Sequence, residues 1–377
     1  MKIVITGGHF SPAHSIIQEI KNDNEILVVG RKYAFEGDRN ESYEYSTCKK
    51  EGIAFKELKA GRLQRKLTVH TIPSVLRFPK GVIDAIAILN DSRPDVVVTF
   101  GGYIGLPVAI AASLLRIPVV LHEQTQKAGL SSSLISRFAS VVLVSFESSK
   151  NYFKNKNIVV TGNPLRSEIL EILSQKSDNA RNFLYITGGS TGSHAINEAV
   201  YDILPRLLQD FTVVHQTGSS KEYNDYQKMI DFKETLDEEY TNKYVVSEFF
   251  APREVASYMK DAMLIVSRAG INTVLELMAI GNVGILIPLS HGQKGEQREN
   301  ALLFEKTGMG KMLEQKNLTG EGLYALIRDM IGNRESYIKN KKNASEYVHL
   351  NAHKSIIKQI YRYGERRSQG KNSPQEA

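Results

Sequence analysis

The run Gly7-Gly8-His9 follows the β-branched segment "KIVIT", which ends at Thr6, and Pro12 stands just inside what comes next. Glycines at the end of a strand let the backbone turn and approach a ligand closely. The helix that follows offers unpaired N–H groups and the positive end of its dipole, a seat for diphosphate. His9 adds a group able to take a proton, and the positive end of a helix favours its neutral, base form. The design returns at "ITGGS", where Gly188-Gly189 precede Ser190. Neither copy is the full G-x-G-x-x-G fingerprint. "LVVGRK" places Arg31 where a ribose-binding acid would stand, so no nicotinamide site is expected.

In "SRAGINTVLELMAIG" (267–281) a strand ends, Gly270 turns the chain, and a helix begins near Asn272-Thr273. Glu276 then lies about one turn in, where a carboxylate can take both hydroxyls of a ribose. In "PLSHGQKGEQRENA" (288–301), Gln297 and Asn300 stand at i, i+3 on one side of a helix start. Such amides suit sugar hydroxyls. His122-Glu123-Gln124 end the buried run "VVLHE" without H-E-x-x-H or a third ligand nearby, so no metal is expected. His349 and His353 read as surface residues of a polar C-terminal helix.

Positioning these groups requires strands that are short and continuously apolar. "KIVIT", "EILVVG", "VVVTFGG", "VVLHE" and "VVLVSF" fit parallel strands buried on both faces, and amphipathic stretches such as 13–22 and 82–91 lie between them. That alternation is α/β and doubly wound. A second series follows from "FLYITGG", through "FTVVHQTG", "KYVVSEFF", "AMLIVSRAG" and "VGILIPL". Two nucleotide-fold domains in tandem account for 377 residues, with a boundary near 162–168. The apolar run 103–121 approaches membrane-spanning length. Pro107, Arg116 and Pro118 divide it into a turn, a helix from Pro107 to about Leu115, and a buried strand.

With 42% apolar and 24% charged residues, the composition is that of a soluble globular protein. A lone Cys48 excludes an internal disulfide framework and a cysteine-based zinc site. "MKIVITGG" reads as a strand, not a signal peptide. The net charge of +7 is uneven: residues 56–80 hold seven basic side chains against Glu57, interleaved with apolar residues. Arg62, Arg65, Lys66, Arg77, Phe78 and Lys80 form the expected patch for an anionic membrane surface.

"TGGHFSPA", "FGGYIGLP", "HEQTQKAG", "TGNPLR", "GGSTGSHAIN" and "SRAGINTVLEL…HGQKGEQRENA", in this order from Lys2 to about Gln359, resemble the MurG family of peptidoglycan synthesis. The resemblance implies a GT-B glycosyltransferase fold, two Rossmann-like domains facing across a cleft. Residues 1–166 would form the acceptor and membrane side, and 167–344 the UDP-sugar domain. A C-terminal helix, 345–365, would return to the first domain, and 366–377 would be a disordered tail. The implied reaction is inverting, metal-independent and cofactor-free. It moves N-acetylglucosamine from UDP-N-acetylglucosamine to the 4-hydroxyl of the muramoyl sugar of lipid I, forming lipid II. The family works peripherally at the cytoplasmic face of the cell membrane, in cell wall biogenesis, cell shape and cell division.

Carried over by position, His9 matches the family's proposed base. Thr6, Gly7, Gly8, Thr125, Arg166, Ser190, Phe250, the span Ile271, Asn272, Thr273, Val274, Leu275 and Glu276, and Gln297 with Asn300 match donor-site positions. Ser190 and the helix it opens would take diphosphate, and Glu276 the ribose. Tyr103, Glu123 and Gln124 fall on the acceptor side. Two departures stand out: Val4-Ile5 replace the first glycine pair of the family's opening loop, and Thr125 replaces its usual Asn. A UDP-N-acetylglucosamine 2-epimerase shares the two-domain architecture, and a non-catalytic sugar-nucleotide-binding membrane scaffold is a third reading.

Overall fold

A computed structural model describes residues 1–33, 41–60, 71–153, 157–175, 182–220, 222–290 and 295–372, with the backbone alone for 71–77 and 368–372. The chain forms two compact units, Met1–Pro164 with His349–Ala377, and Leu165–Val348.

Unit 1 holds a parallel sheet of β1 (Lys2–Thr6), β2 (Glu25–Gly30), β3 (Ala54–Glu57), β4 (Val96–Thr99), β5 (Val119–Glu123), β6 (Val141–Val144) and β7 (Ile158–Val160), in the order β3-β2-β1-β4-β5-β6-β7. The pleat sends alternate side chains to opposite faces. Ile3 and Ile5 join the helix Phe10–Ile20, while Val4 joins the helix Gly102–Leu114. Both faces are therefore core, as the unbroken apolar strands require. The helix Ala352–Asn372 returns to this unit and sets Ile356, Ile360 and Tyr363 against Ile3, Ile5 and Ile16. Tyr361 and Tyr363 accept hydrogen bonds through their hydroxyls from Asn24 (3.0 Å) and Asn157 (2.6 Å).

Unit 2 repeats the plan with β8 (Phe183–Thr187), β9 (Thr212–Gln216), β10 (Tyr244–Ser247), β11 (Leu264–Ser267), β12 (Gly284–Leu286) and β13 (Gly310–Met312), ordered β10-β9-β8-β11-β12-β13. In each sheet the order reverses beside its first strand. The reversal falls between β1 and β4 in unit 1 and between β8 and β11 in unit 2.

Several local expectations are corrected. The helix expected to start at Pro107 starts at Gly102, and Pro107 lies inside it. Only one intrahelical bond is lost that close to the N-terminus. Residues 366–372 are helical, not a disordered tail, while 373–377 lie outside the described residues. The polar outer side of a docked helix reads like a solvated tail. His353 is buried, and His349 is exposed as expected. Among the described residues no helix is long and apolar enough to cross a membrane.

Candidate active site

Ligands of open α/β sheets bind at the carboxyl ends of the strands, where the order reverses. In unit 1 that point lies between the turns after β1 and β4. A Cβ built on Gly8 would stand 3.6 Å from Gly102 Cα, so the two turns meet glycine to glycine. Gly8 (φ +111°) and Gly102 (φ +78°) both use backbone conformations closed to most residues. His9 is the N-cap of the helix Phe10–Ile20, makes no capping bond with its side chain, and is exposed. Its ring lies beside Gly101, the N-cap of the helix Gly102–Leu114: a Cβ built there would be 3.9 Å from His9 Cδ2. The N-termini of two helices thus converge on the imidazole. Tyr103 is on the first turn of the second helix, and the Arg31 guanidinium stands 5.6 Å from its ring centre.

One strand further on, the Glu123 carboxylate organises its own loop. It accepts from Thr125 N–H (3.0 Å) and Gly129 N–H (3.2 Å), and Thr125 Oγ1 lies 2.8 Å from it. His122 is wholly buried, with Nε2 2.9 Å from the Gly162 carbonyl. Burial pulls its pKa down to about 4, so the ring is neutral and Nε2–H donates.

In unit 2 the loop after β8 and the helix Ile271–Ile280 after β11 flank the corresponding point. That helix is capped by Gly270 without a side-chain bond, and its first-turn N–H groups have no carbonyl one turn back. Glu276 is on its second turn and only 2% exposed. Arg166 grips it with two hydrogen bonds, Nε to Oε1 at 2.7 Å and Nη2 to Oε2 at 2.6 Å. Burial of Arg166 opposes its charge, but the carboxylate outweighs it and raises the guanidinium above its usual range. Arg268, one residue past β11, differs. It donates Nη1–H to the Ile287 carbonyl (3.1 Å), and its buried Nε has no hydrogen-bond partner. Burial lowers its pKa to about 10, and among the described residues no carboxylate pairs with it. The Arg268 charge and the positive end of the helix that follows both favour negative charge at these strand ends.

The chain carries the pattern of the glycosyltransferase family 28 N-terminal domain over residues 4–144 and of the family 28 C-terminal domain over 183–360. It is 33% identical over 354 residues to the UDP-N-acetylglucosamine–N-acetylmuramyl-(pentapeptide) pyrophosphoryl-undecaprenol N-acetylglucosamine transferase of Clostridium perfringens, covering 90% of this chain and 93% of that one. The chain belongs to the MurG family of glycosyltransferase family 28. A Thermoanaerobacter relative of the same name is also 33% identical, over 94% of this chain and 96% of its own. Among solved structures, MurG of Acinetobacter baumannii superposes with a TM-score of 0.70 at 22% identity, covering 96% of this chain and 99% of that one. The UDP-GlcNAc 2-epimerase of Neisseria meningitidis reaches 0.63 at 16% identity, over 96% of this chain and 100% of its own. The two-domain GT-B fold is common to both.

In this glycosyltransferase the expected site residues fall into three groups. Gly7, Gly8, His9 and Tyr103 lie at the reversal point of unit 1. Arg166, Glu276, Ile271, Asn272 and Thr273 gather around that of unit 2, with Ser190 on the facing loop. The third group has polar side chains already engaged by protein. Thr6 Oγ1 donates to Thr99 Oγ1 (2.8 Å), and Asn300, 1% exposed, donates to the Ala269 carbonyl (3.1 Å). Gln297 Oε1 accepts from Leu289 N–H (3.1 Å). Gln124 is buried, and Val274 and Leu275 point into the core, so these two apolar residues offer a ligand only their backbones.

Ser190 is exposed in the loop but does not open the helix; Ser193 caps it at His194. Phe250 donates its N–H to Gln216 Oε1 (3.2 Å) and packs edge-on against Tyr258. Arg268 and Gln216 were not singled out from the sequence. The arginine's only signal was its place in "SRAG", directly after a buried strand. Of the basic patch, Arg62, Arg65, Lys66 and the side chain of Arg77 lie outside the described residues. Lys80 is exposed, whereas Phe78 packs against the core.

Proposed function

We propose that this transferase moves N-acetylglucosamine from UDP-N-acetylglucosamine to the muramoyl 4-hydroxyl of lipid I, a polyprenyl-diphosphate-linked acceptor. One arrangement supports the donor half: after β11 the chain carries Arg268, with no carboxylate partner among the described residues, then the N-terminus of the helix Ile271–Ile280, and on its second turn a buried carboxylate oriented by Arg166. These are the groups a nucleoside diphosphate sugar needs. The acceptor half follows from the name that the 33% identical relatives carry.

Glu276 accepts the ribose hydroxyls on the lone pairs that Arg166 leaves open. The diphosphate lies against the first turn of the helix Ile271–Ile280 and Arg268, with Ser190 on the loop opposite. His9 takes the proton from the acceptor 4-hydroxyl. The freed oxygen attacks the anomeric carbon from the face opposite UDP, the bond to the diphosphate oxygen breaks, and the configuration inverts. Charge develops on the leaving diphosphate, so fixed dipoles and Arg268 act most strongly in the transition state.

The acceptor's lipid tail calls for attachment to a membrane surface. Lys80 and the basic residues 62–77 supply charge, and Ile83 (65% exposed) and Leu114 (66% exposed) supply apolar side chains on two helices of unit 1. On this reading the enzyme works peripherally on the leaflet that holds lipid I.

The deciding experiment follows UDP release and sugar products with and without a short-chain lipid I analogue. Release only with the analogue, together with a disaccharide product, is expected. Conversion of the donor to UDP-N-acetylmannosamine without acceptor would replace the transferase reading with epimerase chemistry. Tight donor binding with neither reaction would favour a scaffold.

A further inference from the structure

The loop after β8 is stitched to a second segment of unit 2. The carbonyls of Ser190 and Thr191 accept from the N–H groups of Ser219 (3.3 Å) and Ser220 (3.2 Å). The contact is backbone on backbone: a Cβ on Gly192 would lie 2.1 Å from the Thr217 carbonyl oxygen. Thr217 is in turn fixed from the core side. Asn197, wholly buried, donates through Nδ2 to the Thr217 carbonyl (3.1 Å) and to Asp225 Oδ2 (2.9 Å).

Neighbours set the orientation of that amide. His215 is buried, and burial pulls its pKa down to about 4. The neutral ring donates Nε2–H to Asn197 Oδ1 (3.1 Å) and accepts at Nδ1 from the Tyr244 hydroxyl (3.0 Å). Both amide hydrogens and the amide oxygen of Asn197 are thereby engaged.

The outer end of the chain is Asp225, a buried carboxylate on the first turn of the helix Asp225–Glu234. Its Oδ1 lies 2.8 Å from Nδ1 of His194, the first residue of the helix His194–Asp210. The imidazole lies flat on Tyr223, with ring centres 3.8 Å apart and planes 9° apart. A buried carboxylate keeps its place only if donors fill its oxygens. Here those donors are the Asn197 amide and the His194 ring.

We propose that His194 and Asp225 are positioning residues for the donor diphosphate: they lock the Asn197 amide and, through Thr217, the loop 188–193 in its receiving shape. The proposal rests on reading unit 2 as the UDP-sugar domain. Neither side chain needs to touch the substrate.

The test compares the full-length wild type with His194→Ala, His194→Asn and Asp225→Ala. UDP affinity is read by calorimetry, and exchange of the Ser219 and Ser220 amides by mass spectrometry without ligand. His194→Ala is expected to weaken UDP binding about fivefold, the size of one net hydrogen bond, and to speed exchange at both amides. His194→Asn, whose amide N–H can stand in for Nδ1–H, should restore both to within about twofold of wild type. Donor KM should follow the affinity while kcat stays nearly constant. If Asp225→Ala fails to fold, the two His194 variants carry the comparison. A folded His194→Ala protein with wild-type affinity and exchange overturns the proposal. A wild type that binds no UDP would overturn the donor-domain reading instead, and the exchange comparison would still decide whether the clamp exists.

Discussion

Arg166 and Glu276 meet as two planar groups edge to edge, with N–O distances of 2.7 and 2.6 Å. Glu276 is almost fully buried, while 29% of the Arg166 side chain remains exposed. The pair spans two elements of unit 2: Arg166 is the N-cap of the helix Ser167–Ser174, and Glu276 sits on the second turn of the helix Ile271–Ile280. A fork of this kind fixes the carboxylate plane and leaves one lone pair on each oxygen for a further donor. A ribose presents two such donors, the 2′- and 3′-hydroxyls.

Glu276→Gln keeps the shape but removes the charge and one acceptor. UDP affinity should fall about 10- to 100-fold, since hydrogen bonds to charged groups contribute roughly 1.5–3 kcal/mol each. The wild type should also prefer UDP over 2′-deoxy-UDP, and the variant should not; an unchanged preference would remove Glu276 from the ribose site. Arg166→Ala leaves the carboxylate unpaired. Because the arginine is partly solvated, the loss should be about 2–3 kcal/mol, below the range for a fully buried pair. Urea unfolding measures it.

His9 stands exposed where two helix N-termini converge, and its side chain makes no capping bond. His9→Ala should therefore fold with unchanged stability and bind UDP-N-acetylglucosamine normally. Its transfer rate should drop about 10²–10⁴-fold, the usual contribution of a general base. Full activity in a folded variant would assign the proton to another group.

Two glycines of one loop make a paired test. Gly189 and Gly192 have nearly the same φ, +85° and +84°. A Cβ on Gly189 meets nothing within 4 Å, whereas one on Gly192 would lie 2.1 Å from the Thr217 oxygen. Gly189→Ala should cost only the left-handed backbone term, about 1–2 kcal/mol. Gly192→Ala must also push the loop off its neighbour, and should lose UDP binding far more severely. Equal effects on UDP affinity would mean that the close packing does not shape the site.

The strands that position these groups were legible because their burial is unbroken; β4, β5 and β6 are buried at every residue. β3, β7 and β13 were not, and each is a sheet edge. β3 and β13 carry no continuous apolar run, and β7 is apolar but only three half-exposed residues long. At the site, residue type revealed hydrogen-bonding capacity but not which partner would fill it. Glu123, Thr6 and Asn300 have ligand-like chemistry, yet loop N–H groups, Thr99 and the Ala269 carbonyl take it up. Arg268 is the converse: what marks it is a buried Nε without a hydrogen-bond partner and, among the described residues, no carboxylate beside it.

His122 in unit 1 and His215 in unit 2 are buried neutral, with pKa values near 4 against an ordinary 6.5. Between those values the unfolded chain binds more protons than the folded one, so stability rises with pH from about 4 to 6.5 and is level above. Each histidine should contribute up to ~1.4 kcal/mol per pH unit across the window. Urea midpoints at pH 5 should lie well below those at pH 7. His215→Asn should flatten the part that belongs to unit 2; an undiminished slope would place the titration elsewhere.

Charge and apolar contact on unit 1 make separable predictions for membrane attachment. Replacing Arg62, Arg65, Lys66, Arg77 and Lys80 with Gln removes cations worth about 1 kcal/mol each near an anionic surface. Binding to phosphatidylglycerol vesicles should fall by more than 10²-fold and lose most of its salt dependence. Ile83→Ser with Leu114→Ser removes apolar area instead, about 1.5–3 kcal/mol for each side chain that inserts fully. That pair should weaken binding to neutral and anionic vesicles alike and leave the salt slope intact. Sedimentation with vesicles at two ionic strengths distinguishes the cases. If the five-Gln variant sediments like the parent at low salt, the basic stretch is a solvated surface and attachment lies elsewhere on the molecule.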